Sequence, residues 1–171
     1  MPFTPFHLGL GIGLGLPLRR YLHIPTFLLA NIILDLEPFL VLLGLNYPLH
    51  GYMHTFLFGT LVGLALGYIT FLLEKFLHPL YKVLLLEASN GLKMKLKSFL
   101  IAGALGTGFH VLLDTPLYSD IKPFYPAVVN PLYNPSLILE IYGLCIFAGV
   151  FGIIYYFGLI ALSACQKERR D

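Results

Sequence analysis

The run SLILEIYGLCIFAGVFGIIYYFGLIALSA, residues 136–164, holds 29 residues and a single charge, Glu140. A bilayer core takes about 20 apolar residues as one helix, so this run is long enough to cross with tilt or to protrude. Upstream of it, four more segments read as spans: Ser98–Leu117, Gly51–Leu73, Ile24–Leu45 and a short, glycine-bearing Thr4–Leu18. The leucine-rich piece Leu77–Leu96 is broken by Pro79 and Asn90-Gly91, and reads as an amphipathic segment on the membrane surface rather than a sixth span. The expectation is an all-α polytopic membrane protein. Its single domain is a bundle of five transmembrane helices with a short interfacial helix, without internal repeat or linker.

Composition leads to the same place. The chain has 171 residues, 57% of them hydrophobic and 12% charged, against about 25% charged in an ordinary soluble domain. A globule this small has too much surface to hide that apolar excess from water. A disordered chain, a nucleic-acid binder built on a basic face, and most soluble enzymes are excluded. The N-terminus lacks a basic leader, and Thr4, Pro5 and His7 interrupt its apolar run, so no cleavable signal peptide is expected. Cys145 and Cys165 fall in one span, roughly 30 Å apart along a helix axis, too far to bridge each other.

Basic residues orient such bundles, because short cytoplasmic loops carry the excess of lysine and arginine. With five spans, Arg19, Arg20, Lys75, Lys82, Lys93, Lys95, Lys97, Lys167, Arg169 and Arg170 share one side, leaving Lys122 alone on the other. Ten of eleven basic residues thus place the N-terminus outside and the C-terminus in the cytoplasm of a plasma-membrane protein. Gly59, Gly63 and Gly67 recur every four residues in the third span, a stripe that lets helix backbones approach closely in lipid.

Ionisable side chains inside spans are costly and mark function. Here they gather at one depth. His7 lies near the outer end of the first span, and Asp35 and Glu37 past the middle of the second. His50 and His54 open the third, His110 and Asp114 sit in the outward half of the fourth, and Glu140 begins the fifth. His50/His54 and His110/Asp114 are i, i+4 pairs, so on helices each pair shares a face and can grip one cation. Histidine with carboxylate and no thiolate suits a divalent ion: zinc, with manganese or iron(II) as alternatives. His23 and His78 fall among basic residues on the opposite side and are expected to pack at that interface, with Glu74 and Glu87 paired to lysines.

At these residues the sequence resembles the YdjM-like predicted inner-membrane metal-dependent hydrolases. The likeness rests on Thr4-Pro5-Phe6-His7, the acidic pair Asp35-Leu36-Glu37, the histidine-rich His50–Thr55, His110-x-x-x-Asp114 and the outer Pro123-Phe124. This chain departs from the family's usual Pro-Asp-x-Asp by Leu34 and Glu37, and from its usual arginine after the first histidine of the third span by Gly51. The chain order His7, Asp35, His54, His110, Asp114 is also similar, more distantly, to helical zinc phospholipases C and related nucleases. The resemblance implies hydrolysis at a clustered metal site.

Asp35, His54, His110 and Asp114 are therefore the expected ligands, with His7, Glu37 and His50 holding a second ion or supporting the first. A bound ion lowers the pKa of its water and polarises the scissile oxygen, with Glu37 or Glu140 as general base. The depth of the group favours an ester or phosphoester of a lipid-like substrate. In the proline-rich outer loop, Asp120 and Lys122 are expected to meet its headgroup. The rivals are a proton or divalent-ion transporter using the same cluster, disfavoured by the apolar inner halves of the spans, and a non-catalytic membrane scaffold.

Overall fold

The computed structural model describes residues 4–86 and 94–168. The described residues form only helices: α1 Thr4–Gly15, α2 Ile24–Ala30, α3 Leu36–Leu42, α4 Phe56–Val83, α5 Leu96–Asp114 and α6 Ile138–Glu168. Four helical segments are long and apolar enough to cross a membrane: 24–42 taken together, α4, α5, and 135–166. The first expected span is a shorter apolar helix, Phe6–Leu18, which closes with a 3-10 turn over Leu16–Leu18.

Lipid is the solvent these surfaces suit. The rest of the protein covers only 17% of the apolar window ending the chain and 22% of that in α4. Phe76, Leu139, Phe147 and Ile154 lie largely bare. An apolar surface this continuous is not left in water by a soluble monomer.

Two glycine seams hold the bundle. Gly63 and Gly67 of α4 lie on the α5 backbone at Gly103 and Phe99, so the stripe packs against the fourth span as its spacing suggests. Gly9 and Gly13 of α1 lie on α6 at Cys145, Ala148 and Gly149. A core of Leu16, Leu22, Ile24, Phe27 and Ala102 joins α2 to α5 below them.

Three boundaries differ from the sequence expectation, each for a local reason. The second span is not one helix: α2 ends at Ala30, a 3-10 turn covers Ile33–Asp35, and α3 restarts at Leu36. Pro38 enforces this break. In a continuous helix it could not donate to the Leu34 carbonyl and its ring would clash there, whereas in the first turn of α3 no donor is required. The third span begins at Phe56, because Thr55 stays extended and caps α4 by accepting from Phe58 N–H (3.1 Å). His50 and His54 therefore precede α4, in a bend and a 3-10 turn, and share no helix face. Finally, α4 runs through Pro79 to Val83, so the front of the expected interfacial segment continues the span. Glu87, Asn90, Gly91 and Lys93 lie outside the described residues.

The basic end of the bundle holds a second polar group. His23, expected at the interface, is buried: its ring stacks on Phe99 at 3.9 Å and Nδ1 meets the Thr26 hydroxyl at 2.7 Å. Among the described residues, Glu74, expected to pair with lysine, lies instead between His23 Nε2 (3.1 Å) and His78 Nδ1 (3.0 Å). Burial, with His78 nearby, pushes the His23 imidazole down to about 3, so it stays neutral.

Candidate metal centre

The break in the second span prepares the site. With the helix interrupted, Asp35 N–H turns back to the Ile32 carbonyl (3.1 Å), and the Asn31 carbonyl is left to accept from His110 Nδ1 (2.8 Å). The α5 helix then presents His110 and Asp114 one turn apart, both buried. The α1 helix brings His7, whose ring stacks on that of His110 with centroids 4.0 Å apart. The segment before α4 brings His50 and His54, with the His54 ring 5.3 Å from His110 and 5.0 Å from His50.

Three histidines are fixed the same way. A carbonyl or carboxylate only accepts, so the imidazole nitrogen facing it carries the proton. His110 Nδ1–H donates to Asn31 O, His54 Nδ1–H to Glu37 Oε2 (2.7 Å), and His50 Nδ1–H to the Asp120 carboxylate (2.9 Å). The opposite nitrogen, Nε2, is in all three buried and without a hydrogen-bond partner among the described residues. Buried polar atoms are nearly always bonded, so three orphans in one place require a cause. Anchoring of the second imidazole nitrogen by a carboxylate or carbonyl is how proteins aim histidine at a metal.

What the His110 lone pair faces sharpens the point. His110 Nε2 lies 3.4 Å from Asp114 Oδ2 and 3.7 Å from Asp35 Oδ1, and these acceptors repel one another unless a proton or cation sits between them. His7 Nε2 lies 3.2 Å from Asp114 Oδ1. None of these ion pairs involves a lysine or arginine. A tetrahedral ion with bonds near 2.1 Å keeps its ligand atoms roughly 3.4 Å apart. The separations match that spacing. Donor atoms of His7, Asp35, His110 and Asp114 lie within 4.8 Å of one another, as do those of His50, His54 and Asp114. The buried His/Asp group could hold a metal ion, and with Asp114 common to both sets it has donors for two.

Six of the expected residues thus converge: His7, Asp35, His50, His54, His110 and Asp114. Glu37, expected as a base or in support of the ligands, accepts from Gly51 N–H (3.0 Å), Met53 N–H (3.2 Å) and His54, so it orients His54. Asp120, expected at the substrate headgroup, accepts from His50. Glu140 and Lys122 are exposed and outside both donor sets. Sequence reasoning missed Asn31 and Tyr118. Residue type gave no signal for the first, because Asn31 meets His110 through its backbone carbonyl. The Tyr118 ring lies 4.4 Å from His50, and burial with Asp114 nearby pushes its hydroxyl up, keeping it protonated.

A void of about 10 Å³, room for about one water, lies against this group, bounded by His7, Asp114, Tyr118, Tyr142 and Cys145 among others. A larger cleft of about 480 Å³ opens on the far side of Glu37.

Fold and site together define a helical, membrane-type protein carrying a buried histidine–aspartate group able to hold a metal. No family model, curated protein or solved structure matches the chain.

Proposed function

We propose that this chain is a membrane-embedded, metal-dependent hydrolase that cleaves an ester or phosphoester of an amphipathic, lipid-like substrate. The observation that carries this reading is the trio of Nδ1-anchored histidines with buried, unpartnered Nε2 atoms, all three grouped with Asp114 and His110 also with Asp35. Zinc is the first choice of ion, with manganese or iron(II) as alternatives. When bound, the ion supplies an acidified water and polarises the scissile oxygen. His7, Asp35, His54, His110 and Asp114 hold it, and Glu37 and Asp120 keep His54 and His50 aimed. The residues that carry the likeness to the YdjM-like hydrolases include all six that converge, which supports placing the chain with them.

Detergent-purified protein is expected to contain stoichiometric divalent metal and to hydrolyse a phospholipid or a chromogenic ester or phosphoester. Chelation should abolish that activity and added metal restore it. Protein free of metal by elemental analysis would leave the group as a hydrogen-bonded polar core and defeat the proposal.

The same reading sets the centre near the outer leaflet of the plasma membrane, with the N-terminus outside. Arg19 and Arg20 after α1, Lys75 and Lys82 late in α4, and Lys95 and Lys97 at the start of α5 gather at the end opposite the histidine group, as a cytoplasmic face requires. In intact cells, single cysteines in a cysteine-free background should react with an impermeant reagent at Ser119 and not at Gln166. The reverse pattern would invert the topology.

A further inference from the structure

The 480 Å³ cleft beside the histidine group is bounded by Leu36 and Leu40 of α3, Tyr47, Tyr52 and Met53 of the following segment, and Val62 of α4. Among the described residues that line it, Glu37 is the one carboxylate and there is no lysine or arginine. The volume is that of a small-molecule site, which commonly encloses about 300–1,000 Å³. It opens toward lipid, since Leu36, Leu40, Tyr52 and Met53 are each about half exposed.

Its polar groups are together at one place. Glu37 Oε1 and the Tyr47 ring both crowd Gly51, where even a methyl group would strike them. The Tyr47 hydroxyl accepts from Tyr52 N–H (3.2 Å), which leaves its own proton to donate. From there the backbone directions run to an apolar deep end. Val62 lies one turn beyond Phe58 along α4, and Ile33 one turn before Glu37. One segment separates the two chambers: Tyr47, Tyr52 and Met53 line the cleft, while His50 and His54 lie with Asp114. Glu37 touches both, through the cleft wall and through His54 Nδ1 (2.7 Å).

We infer that this cleft seats one long acyl chain of a membrane lipid, tail toward Ile33 and Val62, with its polar end at Tyr47 and Glu37 beside the histidine group. A concave, apolar space with polar groups gathered at one place fits an amphiphile, and boundary lipid on a convex helix face finds no such place. As an assignment of substrate class, this rests on the hydrolase reading.

The test uses the full chain in phosphatidylcholine vesicles that carry a trace of phosphatidylcholine with a diazirine near the end of one acyl chain. After photolysis, adducts on Ile33, Phe58 and Val62 should exceed those on the bare α6 residues Phe147 and Ile154 by about fivefold or more, a preference that a specific site confers and bulk lipid does not. Val62→Trp, which fills the deep end, should remove most of that excess with metal content unchanged, while Phe147→Trp should not. Adducts spread evenly over α6 and the cleft in the wild type would overturn the inference, as would an excess that survives Val62→Trp in folded, metal-loaded protein. Labelling needs neither metal nor turnover, so metal-free protein with cleft-centred adducts sinks the hydrolase reading alone. Metal-loaded protein with even adducts sinks only the acyl site.

Discussion

Replacing His110 and Asp114 together by alanine is expected to remove bound divalent metal almost completely, while His23→Ala and His78→Ala leave it at the wild-type level. Asp114 belongs to both donor sets, and its two oxygens meet His7 at 3.2 Å and His110 at 3.4 Å. Losing residues that only orient a metal ligand costs about 10–100-fold in affinity. Glu37→Gln, which weakens the acceptor for His54 Nδ1, should fall in that range. The double variant deletes two donors outright and should exceed it. His23 and His78 share a carboxylate at the opposite end of the bundle, so removing them perturbs packing and not the ion. Elemental analysis of matched, monodisperse preparations decides the matter. Equal metal in all variants would mean that the histidines and aspartates form a protonated core, with imidazolium–carboxylate pairs in place of a cation.

The sequence carried the membrane character and the identity of the converging residues, because both depend on quantities it states outright. Apolar runs near 20 residues leave few alternatives to helices in lipid, and ionisable groups inside such runs stand out against them. What it carried less well were backbone events. An apolar window treats residues 24–45 as one rod, yet Pro38 had already ruled that out. The consequence, an Asn31 carbonyl freed for His110, involves no side chain and has no signature in residue type. Likewise, Thr55 could be read as a cap once α4 was known to start there. Until then, the His50/His54 spacing looked helical. Both residues still reach the group, but through a bend and a 3-10 turn held to Glu37 by Gly51 N–H and Met53 N–H. The sequence left Glu37 open between base and support, and gave Asp120 no link to His50, for one shared reason. A carboxylate near a metal site can be base, ligand or anchor, and only the donors around it distinguish these.

Gly63→Val should be the most disruptive single change away from the histidine group. A side chain at position 63 would land on the Gly103 carbonyl and the Thr107 hydroxyl, and the reciprocal change at Gly103 would land on the Gly63 carbonyl. Backbone, unlike a flexible side chain, cannot step aside, so α4 and α5 must separate. In lipid no hydrophobic force restores the contact, because tails solvate the parted faces as well as the helices did. Overpacking of this kind costs about 1–3 kcal/mol even where neighbours can relax, and the upper end applies where backbones meet. The change also propagates. The α5 helix holds His110 and Asp114, and α4 follows directly on His54, so parting the pair widens the 5.3 Å spacing between the His54 and His110 rings. Gly108→Ala is the matched control, since nothing lies within 4 Å of where its Cβ would stand. In a helix interior that replacement stabilises by up to about 1 kcal/mol. Reaction of a thiol-specific dye with buried Cys145 during heating in detergent, in a chain lacking exposed Cys165, reports unfolding directly. Gly63→Val should unmask Cys145 many degrees earlier than the wild type and lower metal content in parallel, while Gly108→Ala does neither. A wild-type midpoint for Gly63→Val would show that the two helices do not meet backbone to backbone, and the arrangement that sets His54 beside His110 would have to be redrawn.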